Sequence, residues 1–362
     1  MAKNYFGKIA FVGAVVILAL ISRAAYPHLY AVATGSSASD TPSSATVPQF
    51  VLPALSLEDV SNVSASSSEL SGNSGNVNVG AVSGGSFAGS SAVANGGAIS
   101  VVPTGPVADS AFSRVGGTAP PDLAVEAGLV ADLTTGTRFM SENATERWPL
   151  ASVTKLMTAT IVLDKLSLAQ KITITQDAFD ADTSEKTLRV GDTYTVLDLL
   201  HFLLLPSSNV AAEALAGAYG RDQFITEMNR RAAAWGMNDT SYADPSGLAV
   251  GSQSTAADLV LLAQKVYTGY PEILQITRTP QVTATEISSG KQVVVKNINE
   301  FSGEADFIGG KTGYTDQADG NLLSLFSDNG HPVVVVVLGT DDNARFTNTE
   351  ALYDWFTKNF RS

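Results

Sequence analysis

Ser152-Val153-Thr154-Lys155 places a hydroxyl and an amine three positions apart at the start of an apolar-periodic run over 151–166. On a helix, positions i and i+3 share a face, so the two groups can meet. A serine attacks a carbonyl only when its proton is taken, and a neutral lysine can take it. An ordinary lysine has a pKa near 10.4, which leaves only about one in a few thousand neutral at pH 7. The chemistry therefore requires that pKa to be depressed, by burial or by a second cation. Lys311 is the candidate cation.

The pair alone is unspecific. Ser288-Ser289-Gly290-Lys291 has the same spacing, but Ser289-Gly290 is a turn signal between strand-like runs and puts that pair on no helix. A serine entering a helix is also an ordinary cap. Two further groups change the weight. Ser207-Ser208-Asn209 follows Leu203-Leu204-Leu205-Pro206 in a turn, and Lys311-Thr312-Gly313 lies mid-way along a strand-like run at 307–315. A lysine and a threonine on a strand, followed by a glycine with no obstructing side chain, form an edge for an extended peptide. Their side chains can grip an anion. Ser-x-Asn recurs at Ser71, Ser74, Ser141 and Ser327 and carries little by itself, whereas Lys-Thr-Gly occurs once. What is specific is the ordered triple, each member on its own kind of element.

Those elements can be read along the chain. Residues 124–133 alternate around Gly128, turn at Thr134-Thr135-Gly136-Thr137, and resume at 138–140, which predicts a hairpin. A strand-like 171–174 and helices over 196–205, 210–219 and 222–235 follow. Near the end, 307–315, 321–326 and 333–339 are strand-like, with Asn329-Gly330 a type I′ hairpin signal. The run 333–338 is apolar without alternation, so both its faces should be covered, one of them by a helix over 345–360. The expected fold class is α+β. The first hairpin joins the last three strands in one five-stranded antiparallel sheet, covered by helices, with a mainly helical lobe inserted between.

Composition narrows the alternatives. The 362 residues are 44% hydrophobic, enough for a large core, and 22 Lys+Arg against 35 Asp+Glu give a net charge of −13, which argues against nucleic acid as a partner. Without cysteine there is no thiolate nucleophile or cysteine metal site. The three histidines offer no triad: His28 is juxtamembrane, His331 follows a hairpin turn, and His201 sits in an apolar helix. No His-Glu-x-x-His or other metal pattern is present, and no cofactor is expected.

Lys3 and Lys8 precede an apolar run at 9–21, the pattern of an export segment. Residues 1–33 are read as a retained membrane signal-anchor, flanked by Tyr5, Phe6 and Tyr26 at the interfaces. The alternative is a signal peptide cleaved near Ala31-Val32-Ala33. Residues 34–120, rich in Ser, Gly and Ala, are read as a flexible linker, and 121–362 as the catalytic domain. The working part is expected outside the cytoplasm.

The three motifs are those of penicillin-binding proteins and class A β-lactamases. From about Leu123 to Phe360 the chain resembles the low-molecular-weight serine D-Ala-D-Ala carboxypeptidases. The resemblance rests on 151–159, Met228-Asn229, Gly236-Met237, 254–259, Asn297-Ile298-Asn299 and Gly309-Gly310-Lys311-Thr312-Gly313-Tyr314-Thr315. It implies a DD-peptidase/β-lactamase-like fold and a part in peptidoglycan metabolism and cell shape. It implies an acyl-enzyme on Ser152 with Lys155 as base, a proton shuttle at Ser207, and Asn209 orienting Lys155 and the substrate. It also implies a carboxylate site at Lys311, Thr312 and Gly313 on which Arg345 acts as a second cation, and an oxyanion hole from the backbone N–H groups of Ser152 and Tyr314. The implied partners are peptidoglycan stem peptides, with β-lactams as covalent inhibitors.

Two departures from the family pattern stand out. Ser208 replaces the usual glycine of the second motif and is expected to point outward. Asp244-Pro245-Ser246-Gly247-Leu248 lacks a histidine common in carboxypeptidases and resembles the version in D,D-endopeptidases. Terminal D-alanine removal is the leading expectation. The alternatives are a D,D-endopeptidase on cross-links, a class A-like β-lactamase, and a non-catalytic wall-binding module.

Overall fold

In the computed structural model, which describes residues 109–362, the apolar run at 333–338 is covered on both sides. Val334, Val336 and Leu338 enter one core, and Val333, Val335 and Val337 enter another. Successive side chains of a strand point to opposite faces, so a run with no polar member needs two covering layers. The strand is the middle member of an antiparallel sheet built from β1 (Ala127–Asp132), β2 (Arg138–Glu142), β3 (Phe307–Thr315), β4 (Asp319–Asp328) and β5 (His331–Thr340). Their spatial order is β3-β4-β5-β1-β2. Early and late parts of the chain meet at the β5–β1 pair, where Val335 lies opposite Val130. Asn329 and Gly330, between β4 and β5, both have positive φ, 51° and 89°, as a type I′ turn requires.

Between β2 and β3 the chain forms α1 (Lys155–Lys165), α2 (Gln176–Asp180), α3 (Val196–Leu204), α4 (Asn209–Tyr219), α5 (Arg221–Ala234), α6 (Ala256–Gly269) and α7 (Pro271–Thr277). Several starts are set by side-chain caps. Thr195 accepts from the Asp198 N–H, Ser208 from Ala211 and Thr255 from Asp258, each satisfying a backbone donor that a helix start leaves free. α1 is buried from Lys155 through Val162, so it is the axis around which the other helices pack. α8 (Ala344–Asn359) closes the opposite face of the sheet with Phe346, Leu352, Trp355 and Phe356. α6 and α7, which the periodicity reading did not identify, close the larger core beneath β3 and β5.

The helix expected over 151–166 divides. Ala151–Thr154 is a 3-10 turn and the α-helix begins at Lys155. The folded unit also starts ahead of the boundary at 121. Phe112 is buried in the core under α8, Ser113–Arg114 pairs with Phe360–Arg361, and the Trp355 Nε1–H donates to the Thr118 carbonyl. The anchor read at 1–33 and the linker up to residue 108 lie outside the described residues. Among the described residues no helix is long and apolar enough to cross a membrane.

Candidate active site

The 3-10 turn is what brings Ser152 onto Lys155. In a 3-10 helix positions i and i+3 eclipse, closer than the same spacing on an α-helix. Lys155 Nζ lies 2.7 Å from Ser152 Oγ. The chain enters this turn through Ala151 at φ 46°, a left-handed conformation that costs a residue with a Cβ roughly 1–2 kcal/mol. Gly247 packs directly on the Ala151 carbonyl, where any Cβ would overlap the oxygen.

Lys155 is fully buried, and its Nζ also lies 2.7 Å from Asn209 Oδ1 and 2.7 Å from the Ser246 carbonyl oxygen. These two oxygens can only accept. A neutral amine has two N–H donors and one lone pair. With both N–H groups committed to Asn209 and Ser246, the lone pair is left facing the Ser152 hydroxyl. The arrangement thus holds a base aimed at a nucleophile.

Burial pushes Lys155 down to about 7, opposed by the negative charges of Asp244, Asp182 and Glu213. Of the two causes the sequence left open, burial is the one that acts, and the second cation, Lys311, does not lower Lys155. The repulsion between the two amines falls on Lys311 instead. That amine is held well below the ordinary lysine range by burial first, then by the charges of Lys155 and Arg345.

The second motif straddles the start of α4. Ser207 sits at φ 67°, and its buried Oγ has no hydrogen-bond partner among the described residues. Ser208 does not point outward as expected. It is buried, caps α4, and donates from Oγ to Glu185 Oε2 at 2.7 Å. The serine therefore makes two bonds that a glycine there could not. Asn209 opens α4 and donates from Nδ2 to Asp182 Oδ2 at 2.9 Å.

The third motif lies on the edge strand β3, which pairs only with β4. Lys311 and Thr312 are both buried, and Lys311 Nζ donates to the Thr312 carbonyl at 2.9 Å and to its Oγ1 at 3.3 Å. No carboxylate among the described residues hydrogen-bonds this amine, so an incoming anion would supply the counter-charge it lacks. Gly313 runs against the 3-10 turn, where a Cβ would lie 2.8 Å from the Leu150 oxygen and 3.2 Å from the Ser152 nitrogen. That contact places β3 beside the nucleophile. Tyr314, next along the strand, is exposed. Arg345 is the residue the geometry attaches least. It sits on α8 over the Phe346 ring at 4.9 Å and beside Asp342, and it acts on Lys311 through charge without a hydrogen bond to it.

Sequence reasoning did not find the groups that support these. The 244–248 loop was noticed as a departure, yet its work is to deliver the Ser246 carbonyl. Asp244 folds it by accepting from the N–H groups of Gly247 at 2.5 Å and Ala249 at 2.7 Å, and Thr158 Oγ1 donates to the Pro245 carbonyl at 2.6 Å. Asp-Pro-Ser-Gly is a recognisable turn composition, but nothing in it says which carbonyl faces a lysine. The decoy at Ser288 behaves as read. Its turn is tied to Glu286, and Ser289, not a lysine, donates to that carboxylate.

Fold and site together define a serine hydrolase in which a lysine stands where other serine enzymes place a histidine. The chain belongs to the D-alanyl-D-alanine carboxypeptidase family, peptidase S11, whose profile matches residues 115–342. Among its relatives, the D-alanyl-D-alanine endopeptidase of Pseudomonas aeruginosa is 35% identical over 229 residues, covering 60% of this chain and 72% of that protein. The D-alanyl-D-alanine carboxypeptidase DacB2 of Mycobacterium tuberculosis is 30% identical over 235 residues, covering 64% and 80%. Among solved structures, penicillin-binding protein D2 of Listeria monocytogenes in a cefotaxime-bound form matches with a TM-score of 0.58 at 32% identity, covering 66% of this chain and 98% of that one.

Proposed function

We propose that the protein is a serine D-Ala-D-Ala carboxypeptidase that removes the terminal D-alanine from peptidoglycan stem peptides, working outside the cytoplasm. The observation that carries this is the Lys155 amine, held between two obligate acceptors with its lone pair on Ser152 Oγ. Ser152 Oγ attacks the carbonyl of the penultimate D-alanine while its proton passes to Lys155 Nζ. The backbone N–H groups of Ser152 and Tyr314 stabilise the oxyanion, typically worth a hundredfold or more per donor. As the C–N bond breaks, Ser207 Oγ relays a proton to the departing amine, and water then hydrolyses the Ser152 ester. Lys311 and Thr312 bind the substrate carboxylate along the edge strand, with Arg345 adding positive potential. β-Lactams enter by the same attack and leave their acyl group on Ser152. The N-terminal segment would hold the enzyme at the membrane, and the Ser/Gly-rich linker would let it reach the wall.

The working form of Lys155 is the neutral amine, so acylation should rise with pH through about 7 and level off above it. Below that value each unit of pH should cost about tenfold, since a base is lost by protonation in that proportion. The acylation rate of the full chain against pH checks this. A limb at the ordinary lysine value near 10.4 would contradict it.

A D,D-endopeptidase is the second reading. It is favoured by the Asp244–Leu248 loop, which lacks the carboxypeptidase histidine, and by the Pseudomonas relative's name. Both activities break a bond to a D-centre bearing a carboxylate, so the carboxylate site serves either. Digesting pentapeptide stems and cross-linked dimers side by side separates them. Loss of D-alanine with dimers intact supports the carboxypeptidase, and dimer cleavage overturns it in favour of the endopeptidase.

A further inference from the structure

The acceptor that orients Lys155 is an amide, and an amide can face either way. Turned over, Asn209 would present an NH2 group to Lys155. That donor would capture the lone pair meant for Ser152, leaving the base misdirected with every heavy atom in place. An asparagine is nearly symmetric in shape, so packing alone does not choose between the two orientations.

The choice is made at the other end of the amide. Asp182 Oδ2 lies 2.9 Å from Asn209 Nδ2. An ionised carboxylate only accepts, so the NH2 group must face Asp182 and the oxygen must face Lys155. The carboxylate is itself fixed. Its Oδ1 accepts from the Ser184 N–H at 3.1 Å and from Ser184 Oγ at 2.5 Å, which turns Oδ2 toward Asn209. The same segment is tied down a second time. Glu185 Oε2 accepts from Ser208 Oγ while its Oε1 accepts from the Thr187 N–H at 2.8 Å. Two neighbouring carboxylates of one loop thus bind two consecutive residues of the second motif.

We propose that Asp182 is a positioning residue that fixes the orientation of the Asn209 amide and, through it, the direction of the Lys155 lone pair. The proposal rests on the Ser152–Lys155 acyl-transfer reading above. Asp182 touches no reacting atom and acts only through Asn209 and its charge. The charged groups bearing on Lys155 are Asp244, Asp182 and Glu213, and Lys155 in turn bears on Lys311.

The test is the acylation of Ser152 by a β-lactam, followed by intact mass on the full chain across a pH series. Asp182→Asn keeps the shape and the Ser184 bonds but turns an NH2 group toward Asn209, which inverts the amide. Asp182→Ala removes the director without supplying a wrong one. Acylation should fall by about tenfold or more in Asp182→Asn and by less in Asp182→Ala, an effect of the size expected for misdirecting a general base. The acid limb of Asp182→Asn should also move to lower pH, because the ammonium form of Lys155 loses both an acceptor and a nearby negative charge. In an Asn209→Ala background the difference between Asp182→Asn and Asp182→Ala should vanish. A merely structural role predicts the opposite ranking, with the isosteric asparagine milder than alanine. That outcome, or acylation unchanged in Asp182→Asn, overturns the proposal. Failure of the wild-type chain to acylate at Ser152 would instead sink the underlying reading, so the two failures are distinguishable.

Discussion

Lys155→Met should abolish most of the acylation of Ser152 while leaving the protein folded. Methionine is close to lysine in volume and carries no charge, so the buried axis of α1 keeps its packing. The change leaves Asn209 Oδ1 and the Ser246 carbonyl without the donor they share, at about 1–3 kcal/mol per unsatisfied group. It also removes the burden of burying an ionisable amine, which offsets part of that loss. The rate has no such compensation. With no histidine or carboxylate among the atoms hydrogen-bonded to Ser152 Oγ in the described residues, the proton has nowhere comparable to go. The loss should be about 10²–10⁴-fold, the usual worth of a positioned general base. A pseudo-first-order acylation rate, read beside a thermal melt, checks it. A variant that acylates within a factor of a few of wild type would show that another group takes the proton.

Gly247→Ala should carry the largest stability effect of any single methyl added near the site. The residue has φ 86°, and its Cβ position is occupied by the Ala151 carbonyl. The left-handed backbone costs an alanine about 1–2 kcal/mol. Forcing a methyl into filled space adds about 1–3 kcal/mol. Together they predict about 2–5 kcal/mol, read as a shift of the denaturant midpoint at unchanged slope. The effect should not stop at stability. Ala151 leads into the 3-10 turn that carries Ser152, and Gly247 follows the residue whose carbonyl holds Lys155. Relieving the overlap must move one of these, so the surviving folded fraction should acylate more slowly than wild type. A Gly247→Ala variant with wild-type midpoint and rate would mean that this contact does not set the turn.

How far the sequence could be read depends on which property each feature rests on. The run at 333–338 announced two covering layers because a strand without polar residues has no solvent face, and α8 and the helical lobe supply them. Asn329-Gly330 announced its turn because few residue pairs tolerate two positive φ values in succession. The three motifs pointed to the candidate site through their order, since Ser-x-x-Lys and Ser-x-Asn each recur elsewhere in the chain. The failures are of another kind. Whether 151–154 coils as α or 3-10 depends on the Ala151 backbone being pressed by Gly247, nearly a hundred positions away by direct count, a contact that no local periodicity encodes. The Ser246 carbonyl carries no side-chain identity to read. Asp182 and Glu185 sit in a loop with no pattern, 27 and 23 positions from the residues they bind. The Lys155 depression was anticipated with burial and a second cation both open as its cause, and only the cation, Lys311, was visible in the sequence. Burial, which is a property of the assembled fold, is the first cause.

The central claim is that Ser152 becomes covalently acylated with Lys155 as its base. Intact mass after incubation with benzylpenicillin, followed by peptide mapping, tests it most directly. The account predicts one adduct per chain, located on Ser152, long-lived, and absent from Ser152→Ala. An unmodified chain, or an adduct on any other residue, would contradict it.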